Sequence, residues 1–252
     1  MVCTTYVHDP LGRMVGLARD TLPKLQVVFE KIIIAKTQNT DPRYQKLNKA
    51  DQIQFVDGGP FGVAKKNALV AGVRVSSDSF LSIDFDRLLH WSRADFKELK
   101  KVSTLKPESL VILGRTATAI STFPAFWQQT EVVVNALANK IFATPDWDWM
   151  TTTFVLNRSA AEKCISLPAN DGVSVAFDWP MTIKNGKSNI KYMVCEGFSW
   201  EDPDRYQPEI KKESFETWRQ KYCDNRHEWL KRIQILNESV ASLLHHFPGH
   251  PF

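Results

Sequence analysis

The sequence predicts an α/β protein whose mostly parallel sheet is flanked by helices. Short runs rich in β-branched residues, such as 25–35 and 53–57, alternate through the first half with segments of helical period. Strands that alternate with helices are typical of parallel sheets covered on both faces. Two later runs, 173–177 and 190–195, flank a Lys-Asn-Gly-Lys turn and read as a hairpin. We therefore expect a small antiparallel addition to the parallel sheet.

Length and composition favour one globular unit. The chain has 252 residues, of which 43% are hydrophobic and 24% charged, values typical of folded proteins. Near the C-terminus Trp229, Ile233, Leu236 and Val240 recur every three or four residues, which indicates helical packing. We expect a single domain over 1–252 that ends in a helical segment at about 208–247.

Charge and cysteine usage exclude several classes. The formal net charge is +4 without a dense Lys/Arg block, so no nucleic-acid partner is predicted. The four cysteines lie far apart and have no zinc-type spacing, which favours free thiols in a reducing cytoplasm. The first twenty residues lack the apolar run of a signal peptide, and no stretch approaches the length of a membrane span. The predicted location is cytoplasmic, without a transmembrane segment.

The predicted strands end in polar side chains. Residues 1–24 show no clear period, and the strand at 25–35 is followed by a polar loop that contains Thr37. The strand at 53–57 leads through a glycine-rich turn into a helix that carries Lys65, where an anion could be held, although the spacing is not that of a Walker motif.

The third predicted strand ends in Asp84-Phe85-Asp86. An extended chain sends alternate side chains to the same side, so the two carboxylates would lie together. Mg²⁺ and Mn²⁺ prefer oxygen ligands and often bind through one or two carboxylates plus substrate phosphates. The alternative is an acidic strand end in water, because Asp-x-Asp also occurs at 146–148 and 202–204.

The second half supplies further charged candidates. A fourth strand at 108–114 ends at Arg115, and a helix at 124–142 carries Glu131 and Asn135 on its polar stripe, which favours a solvated face. In a parallel sheet Thr37, the carboxylate pair and Arg115 would fall at the same edge, where ligands bind. A cation at Asp84 and Asp86 could then hold a diphosphate, with Arg115 or Lys65 contacting its oxygens.

Three segments carry a resemblance to a known family. They are Ser82-Ile83-Asp84-Phe85-Asp86-Arg87-Leu88-Leu89-His90-Trp91, then Leu113-Gly114-Arg115-Thr116 with Pro124 and Thr130-Glu131 following, and finally Cys195-Glu196-Gly197-Phe198-Ser199-Trp200-Glu201. The chain resembles nucleotide-diphospho-sugar transferases of the GT-A fold, and more closely a group of uncharacterised bacterial proteins placed in that superfamily. The resemblance spans roughly residues 25 to 235.

The resemblance implies a GT-A-like sheet and a glycosyltransferase that binds a nucleotide-diphospho-sugar donor through Mn²⁺ or Mg²⁺. Asp84 and Asp86 would form the metal-binding DxD motif, with Asp86 the direct ligand and Asp84 nearer the ribose. Thr37 would lie near the nucleotide base, and Asp148 would serve as the catalytic base toward an unknown acceptor. The chain departs from the family in lacking a Gly-Gly-x-Trp-Glu-Asp motif and an obvious third metal ligand.

Two other functions fit the same pattern. A binding module on the same fold would retain the nucleotide or sugar pocket without transfer. A metal-free hydrolase would need two acids about 5 to 10 Å apart. Chelation would distinguish the hydrolase, because its activity would survive removal of the metal.

Overall fold

A computed structural model describes residues 1–47, 51–169 and 171–245. Within these ranges seven strands form one sheet. They are β1 (Val2–Val7), β2 (Lys31–Lys36), β3 (Ile53–Asp57), β4 (Ser79–Asp84), β5 (Leu110–Arg115), β6 (Phe154–Asn157) and β7 (Ile190–Cys195). Their order across the sheet is β3-β2-β1-β4-β6-β5-β7. All neighbouring pairs are parallel except those of β6, which runs antiparallel to both β4 and β5. The predicted α/β class and mostly parallel sheet are confirmed.

Helices cover both faces of the sheet. In the described ranges they are α1 (Val15–Leu25), α2 (Phe61–Val73), α3 (Phe85–Ala94), α4 (Phe96–Val102), α5 (Ala117–Ser121), α6 (Ala125–Phe142), α7 (Arg158–Ser166), α8 (Val175–Asn185), α9 (Asp202–Arg205), α10 (Gln207–Glu213), α11 (Phe215–Asp224) and α12 (Arg226–His245). Two short 3₁₀ helices span Pro42–Leu47 and Trp149–Thr151. No helix in the described part of the chain is long and apolar enough to cross a membrane.

The alternation of side chains along each strand builds two cores. Ile33 and Ala35 of β2 face the core under α2, α6, α7 and α8, whereas Ile32 and Ile34 face the core under α1, α3 and α4. All four side chains are fully buried. Because both faces are covered, the strand reads as a continuous apolar run. A third, aromatic cluster includes Trp200, Trp218 and Tyr222 and packs the C-terminal helices against α6.

Three sequence expectations need correction. The predicted hairpin is wrong, because Val175–Asn185 is a helix and β7 pairs parallel to β5; the antiparallel strand is β6. Residues 1–24, which show no period, contain β1 in the middle of the sheet. The predicted strand at 25–35 begins only at Lys31.

The expected C-terminal helical segment matches α10 to α12, although residues 246 and 247 lie outside the described residues. The assignment of the whole chain to one domain stays a prediction.

The order of the strands determines where a ligand would bind. The chain builds β1, β2 and β3 toward one edge and then returns to place β4 on the other side of β1. In open α/β sheets the crevice for a ligand opens beyond the carboxyl ends of the strands at such a reversal. The carboxyl ends of β1 and β4 are Val7 and Asp84.

Candidate functional site

A cleft of about 700 Å³ opens at the reversal between β1 and β4. Its walls come from the ends of these strands, the loop after β2, the start of α2, the start of α3, the segment before α9, and α12. The polar and charged side chains of its lining include Thr37, Asp84, Asp86, Arg87, Glu131, Glu201, Arg205, Arg232 and Glu238. The volume is typical of a small-molecule pocket.

The two carboxylates of Asp84-Phe85-Asp86 both line this cleft, although not on an extended chain. Asp84 ends β4 and precedes α3 with an extended backbone, and Asp86 lies in the first turn of that helix. Phe85 between them is buried and makes an edge-to-face contact with Tyr44, at 6.0 Å between centroids. The chain therefore turns at Phe85, and the helix N-terminus beside the carboxylates favours a bound anion.

Each carboxylate has a cationic partner from another element. Lys65 Nζ lies 2.9 Å from Asp84 Oδ1 and donates to the Thr152 carbonyl at 2.5 Å. Burial lowers the pKa of Lys65, and the charge of Asp84 offsets part of that effect. Arg205 Nη2 contacts Asp86 Oδ2 at 2.7 Å. Lys65 itself is 2% exposed and lies behind Asp84, outside the cleft lining.

Thr37 lies in the cleft wall, where it connects the loop after β2 to the end of β1. Its hydroxyl is 2.9 Å from His8 Nδ1 and 3.0 Å from the hydroxyl of Thr40, which donates to the Val7 carbonyl. These contacts fasten the loop after β2 to the end of β1. The loop therefore presents Gln38 and Asn39 to the cleft in a defined position.

Arg115 and Asp148, by contrast, form a buried cluster outside the cleft lining. The Arg115 guanidinium donates to both oxygens of Asp148, from Nε at 2.7 Å and from Nη2 at 2.9 Å, and to Glu131 at 2.5 Å. Burial tends to raise the pKa of Asp148, but Arg115 and a hydrogen bond from Asn135 lower it overall. An ionised carboxylate this fully paired is built to hold a loop, and Asp148 lies outside the cleft lining.

The expectation that the polar stripe of α6 faces solvent is wrong, because its residues belong to the same buried cluster. Glu131 is 7% exposed and pairs with Arg115 and with Arg232 of α12, the latter at 3.5 Å. Asn135 donates to Asp148 and accepts from the Trp149 amide. The polar face of the helix is thus buried under α12 and the segment that carries Asp148.

Sequence reasoning missed the segment after β7, which supplies Glu201, Asp202 and Arg205 to the cleft. Glu201 Oε1 accepts from Arg87 Nη2 at 2.9 Å, and Glu201 is only 5% exposed. Burial raises the pKa of Glu201, while Arg87 opposes that shift. Two signals pointed to this segment: the resemblance carried by residues 195–201 and the Asp-x-Asp repeat at 202–204.

The chemistry of the lining fits a divalent cation with further oxygen ligands. Six carboxylates line the cleft against four Arg or Lys side chains, an excess of two negative charges. In the part of the chain that is described, no group of three or more His, Cys, Asp or Glu could hold a metal by itself. Asp84 and Asp86 would thus be protein ligands that need phosphate oxygens and water to complete the coordination, an arrangement typical of Mg²⁺.

Comparison with known proteins identifies the fold. No family model matches the chain, and no curated protein matches it. Glucosyl-3-phosphoglycerate synthase from Mycobacterium tuberculosis is similar over 97% of this chain and 79% of its own, with a TM-score of 0.55 and 12% identity. Its complex with Mn²⁺, UDP and phosphoglyceric acid matches 99% of this chain and 79% of its own, at a TM-score of 0.54 and 12% identity.

A third structure, the UDP complex of the same synthase, matches 97% of this chain and 79% of the synthase chain, with a TM-score of 0.54 and 13% identity. The chain has the GT-A fold that these solved structures share. In the GT-A fold described here, the cleft lies where the strand order reverses, and Asp84-Phe85-Asp86 stands at its floor.

Proposed function

We propose that the chain is a metal-dependent glycosyltransferase that uses a nucleotide-diphospho-sugar donor. The observation that carries the proposal is the carboxylate pair Asp84 and Asp86 at the reversal of the sheet, in a cleft whose lining is acidic. The solved structures of the same fold include a synthase described with Mn²⁺ and UDP, which supports Mn²⁺ or Mg²⁺ as the metal and UDP as the first nucleotide to test.

Several side chains of the cleft would bind the cation and the donor. Asp84 and Asp86 hold the cation, which when bound stabilises negative charge on the departing nucleoside diphosphate. Lys65 offsets part of the negative charge of Asp84 through their 2.9 Å contact. The loop that Thr37 fastens to β1 contacts the nucleotide base. Arg205 lies beside Asp86 and can turn to an anionic phosphate oxygen.

Four sequence predictions remain outside this assignment. Arg115 and Asp148 are paired with each other, so neither enters the proposed donor site. A cytoplasmic location and the lack of a nucleic-acid partner stay predictions from composition.

Calorimetry with UDP-glucose, in the presence and absence of Mn²⁺, tests the proposal. The parent should bind in a Mn²⁺-dependent manner, and Asp86→Ala should lose that binding. Glu238→Gln is a matched control, because Glu238 lines the same cleft and accepts a hydrogen bond from Gln234 of its own helix. Equal binding by Asp86→Ala and the parent would show that the site assignment is wrong.

A chelator supplies the second arm of this test. The transferase loses UDP release when EDTA removes the cation, whereas a metal-free hydrolase retains it. Mn²⁺-dependent binding without any turnover would instead favour the binding module.

A further inference from the structure

A second group of polar side chains lies outside the lining of the cleft, where α3 meets the segment after β7. His90 Nδ1 is 2.8 Å from Asp204 Oδ2, and His90 Nε2 is 2.8 Å from Ser199 Oγ. The three residues belong to α3, to α9 and to the segment between β7 and α9, so the fold brings them together. A serine, a histidine and an aspartate joined in this order form the arrangement of a nucleophile, its base and the group that orients the base.

The charge of Asp204 determines where the proton of the imidazole lies. Burial raises the pKa of Asp204, but His90 and Arg93 lower it overall, so the carboxylate is ionised and only accepts hydrogen bonds. His90 therefore donates to it from Nδ1–H. In the neutral imidazole Nε2 is then an acceptor, and the Ser199 hydroxyl donates to it. This is the tautomer in which an imidazole can take the proton of a serine.

The backbone on both sides of Ser199 is anchored. Phe198 before it is fully buried and meets Trp91 edge to face, with centroids 4.6 Å apart. Trp200 after it is buried, and its amide donates to Thr122 Oγ1 at 2.8 Å. Ser199 itself is only half-buried. It thus combines partial exposure with a fixed backbone, and a nucleophile held in a defined position attacks a bound ligand more readily than a mobile one.

The base and its orienting group are shielded from water. The side chains of His90 and Asp204 are 16% and 14% exposed. Arg93 Nη1 donates to the second oxygen of Asp204, Oδ1, at 2.8 Å, which leaves Oδ2 directed at His90. This pairing keeps the imidazole within hydrogen-bond reach of the Ser199 proton, the geometry that general-base catalysis needs.

We infer that Ser199, His90 and Asp204 form a second catalytic site, which hydrolyses carboxylic esters through an acyl-serine. This activity goes beyond the proposed transfer and does not depend on it. Ser199 Oγ forms a bond to the ester carbonyl carbon while its proton moves to His90 Nε2. The bond from that carbon to the alkoxy oxygen then breaks, its electron pair goes to the oxygen, and His90 returns the proton to it. Water attacks the acyl carbon in the same way, which releases the acid and restores Ser199.

A fluorophosphonate tests the nucleophile in the full chain, because it phosphonylates serines that a histidine activates and releases fluoride. The parent should gain one adduct by intact mass, which peptide mapping should locate on Ser199. It should also release more than one equivalent of p-nitrophenolate from p-nitrophenyl acetate. His90→Gln should lower both rates by about 10²- to 10⁴-fold. Ser121→Ala is the matched control and should keep both rates, because Ser121 is exposed and donates to the Thr118 carbonyl of its own helix.

Asp204 is a positioning residue, since it acts on the serine through the imidazole. The amide of Asp204→Asn can donate to Nδ1, so the imidazole is no longer held with its proton on that nitrogen, and labelling should slow. Asp204→Glu restores a carboxylate and should recover part of the labelling rate. Labelling of Asp204→Asn at the parent rate would show that the carboxylate only holds α9 against α3.

Four outcomes overturn the inference. They are a parent that gains no adduct, an adduct on a residue other than Ser199, labelling of His90→Gln at the parent rate, and p-nitrophenolate release that stops at one equivalent. If His90→Gln does not fold, the parent unfolded in urea takes its place, because unfolding separates the three residues. Labelling of Ser199 in the unfolded chain at the native rate then counts equally against a site that the fold assembles.

Discussion

Asp148→Asn offers a direct test of whether this residue serves structure or catalysis. Asp148 is 3% exposed, and four hydrogen bonds reach its carboxylate. Its Oδ2 accepts from the backbone and side chain of Arg115, and its Oδ1 accepts from Arg115 and Asn135. An asparagine keeps one acceptor oxygen. Its amide nitrogen replaces the other oxygen and, being a hydrogen-bond donor, would face the N–H groups that now donate to Asp148. Two of the four bonds are lost, and Arg115 keeps only Glu131 as a counter-charge.

The expected cost follows from these contacts. A hydrogen bond to a charged group contributes about 1.5–3 kcal/mol, so the loss of two gives a destabilisation of at least about 3 kcal/mol. Breaking a buried ion pair by removing one partner costs about 3–5 kcal/mol, in agreement with that figure. For a chain of this size, 3 kcal/mol lowers the melting temperature by roughly 6–12 °C.

Urea unfolding followed by circular dichroism measures the effect. Asp146→Asn is the matched control, because Asp146 is exposed and the substitution removes the same charge. Its positive φ of 41° is also a conformation that asparagine tolerates. We expect the control to stay within about 0.5 kcal/mol of the parent. If Asp148→Asn unfolds at the same urea concentration as the parent but loses UDP release, the structural reasoning is refuted and Asp148 is catalytic.

Three further predictions use other contacts. Gly114→Ala places a Cβ 2.1 Å from Tyr192 Oη, so it should destabilise the fold by about 1–3 kcal/mol in urea, while Gly16→Ala, with open space, should not. Lys65→Met removes the ammonium that competes for Asp84 and should tighten Mn²⁺ binding by calorimetry; Lys66→Met, whose amine contacts the Leu167 carbonyl, should leave it unchanged. Burial raises the pKa of Asp204, but His90 and Arg93 lower it overall, so its pairing stabilises the fold above about pH 4 and is lost as pH falls through the lowered pKa. Asp204→Asn should flatten that acid-side loss in urea midpoints.

The pattern of apolar residues along the sequence predicted those strands and helices that depend on nearby residues alone. The strand that ends at Asp84 is an apolar run followed at once by a helix, and its place beside β1 follows from the parallel class. β1 escaped prediction because Thr4 and Thr5, both buried, interrupt its apolar character, and Thr4 is satisfied by a hydrogen bond to the Leu81 carbonyl. The neighbouring strand makes Thr4 suitable for a core.

The predicted strand at 173–177 is wrong for a different reason. A short run with two valines and a phenylalanine reads equally well as a buried strand or a buried helix turn. Here Val175, Ala176 and Phe177 are all buried in the first turn of α8, and Pro180 lies within the helix. Tertiary burial, rather than propensity, decided the outcome.

The role of each acid in the cleft was hidden from the sequence because every decisive partner is distant along the chain. Arg87 and Glu201 are 114 residues apart, and Asp86 and Arg205 are 119 apart. Asp-x-Asp spacing cannot separate the pair at 84–86 from the one at 146–148, whereas the counter-charges can. Asp148 has both oxygens occupied by Arg115, which leaves it nothing to give a substrate. Glu201 has one oxygen held by Arg87 and lines the cleft, whereas Asp148 lies outside the cleft lining.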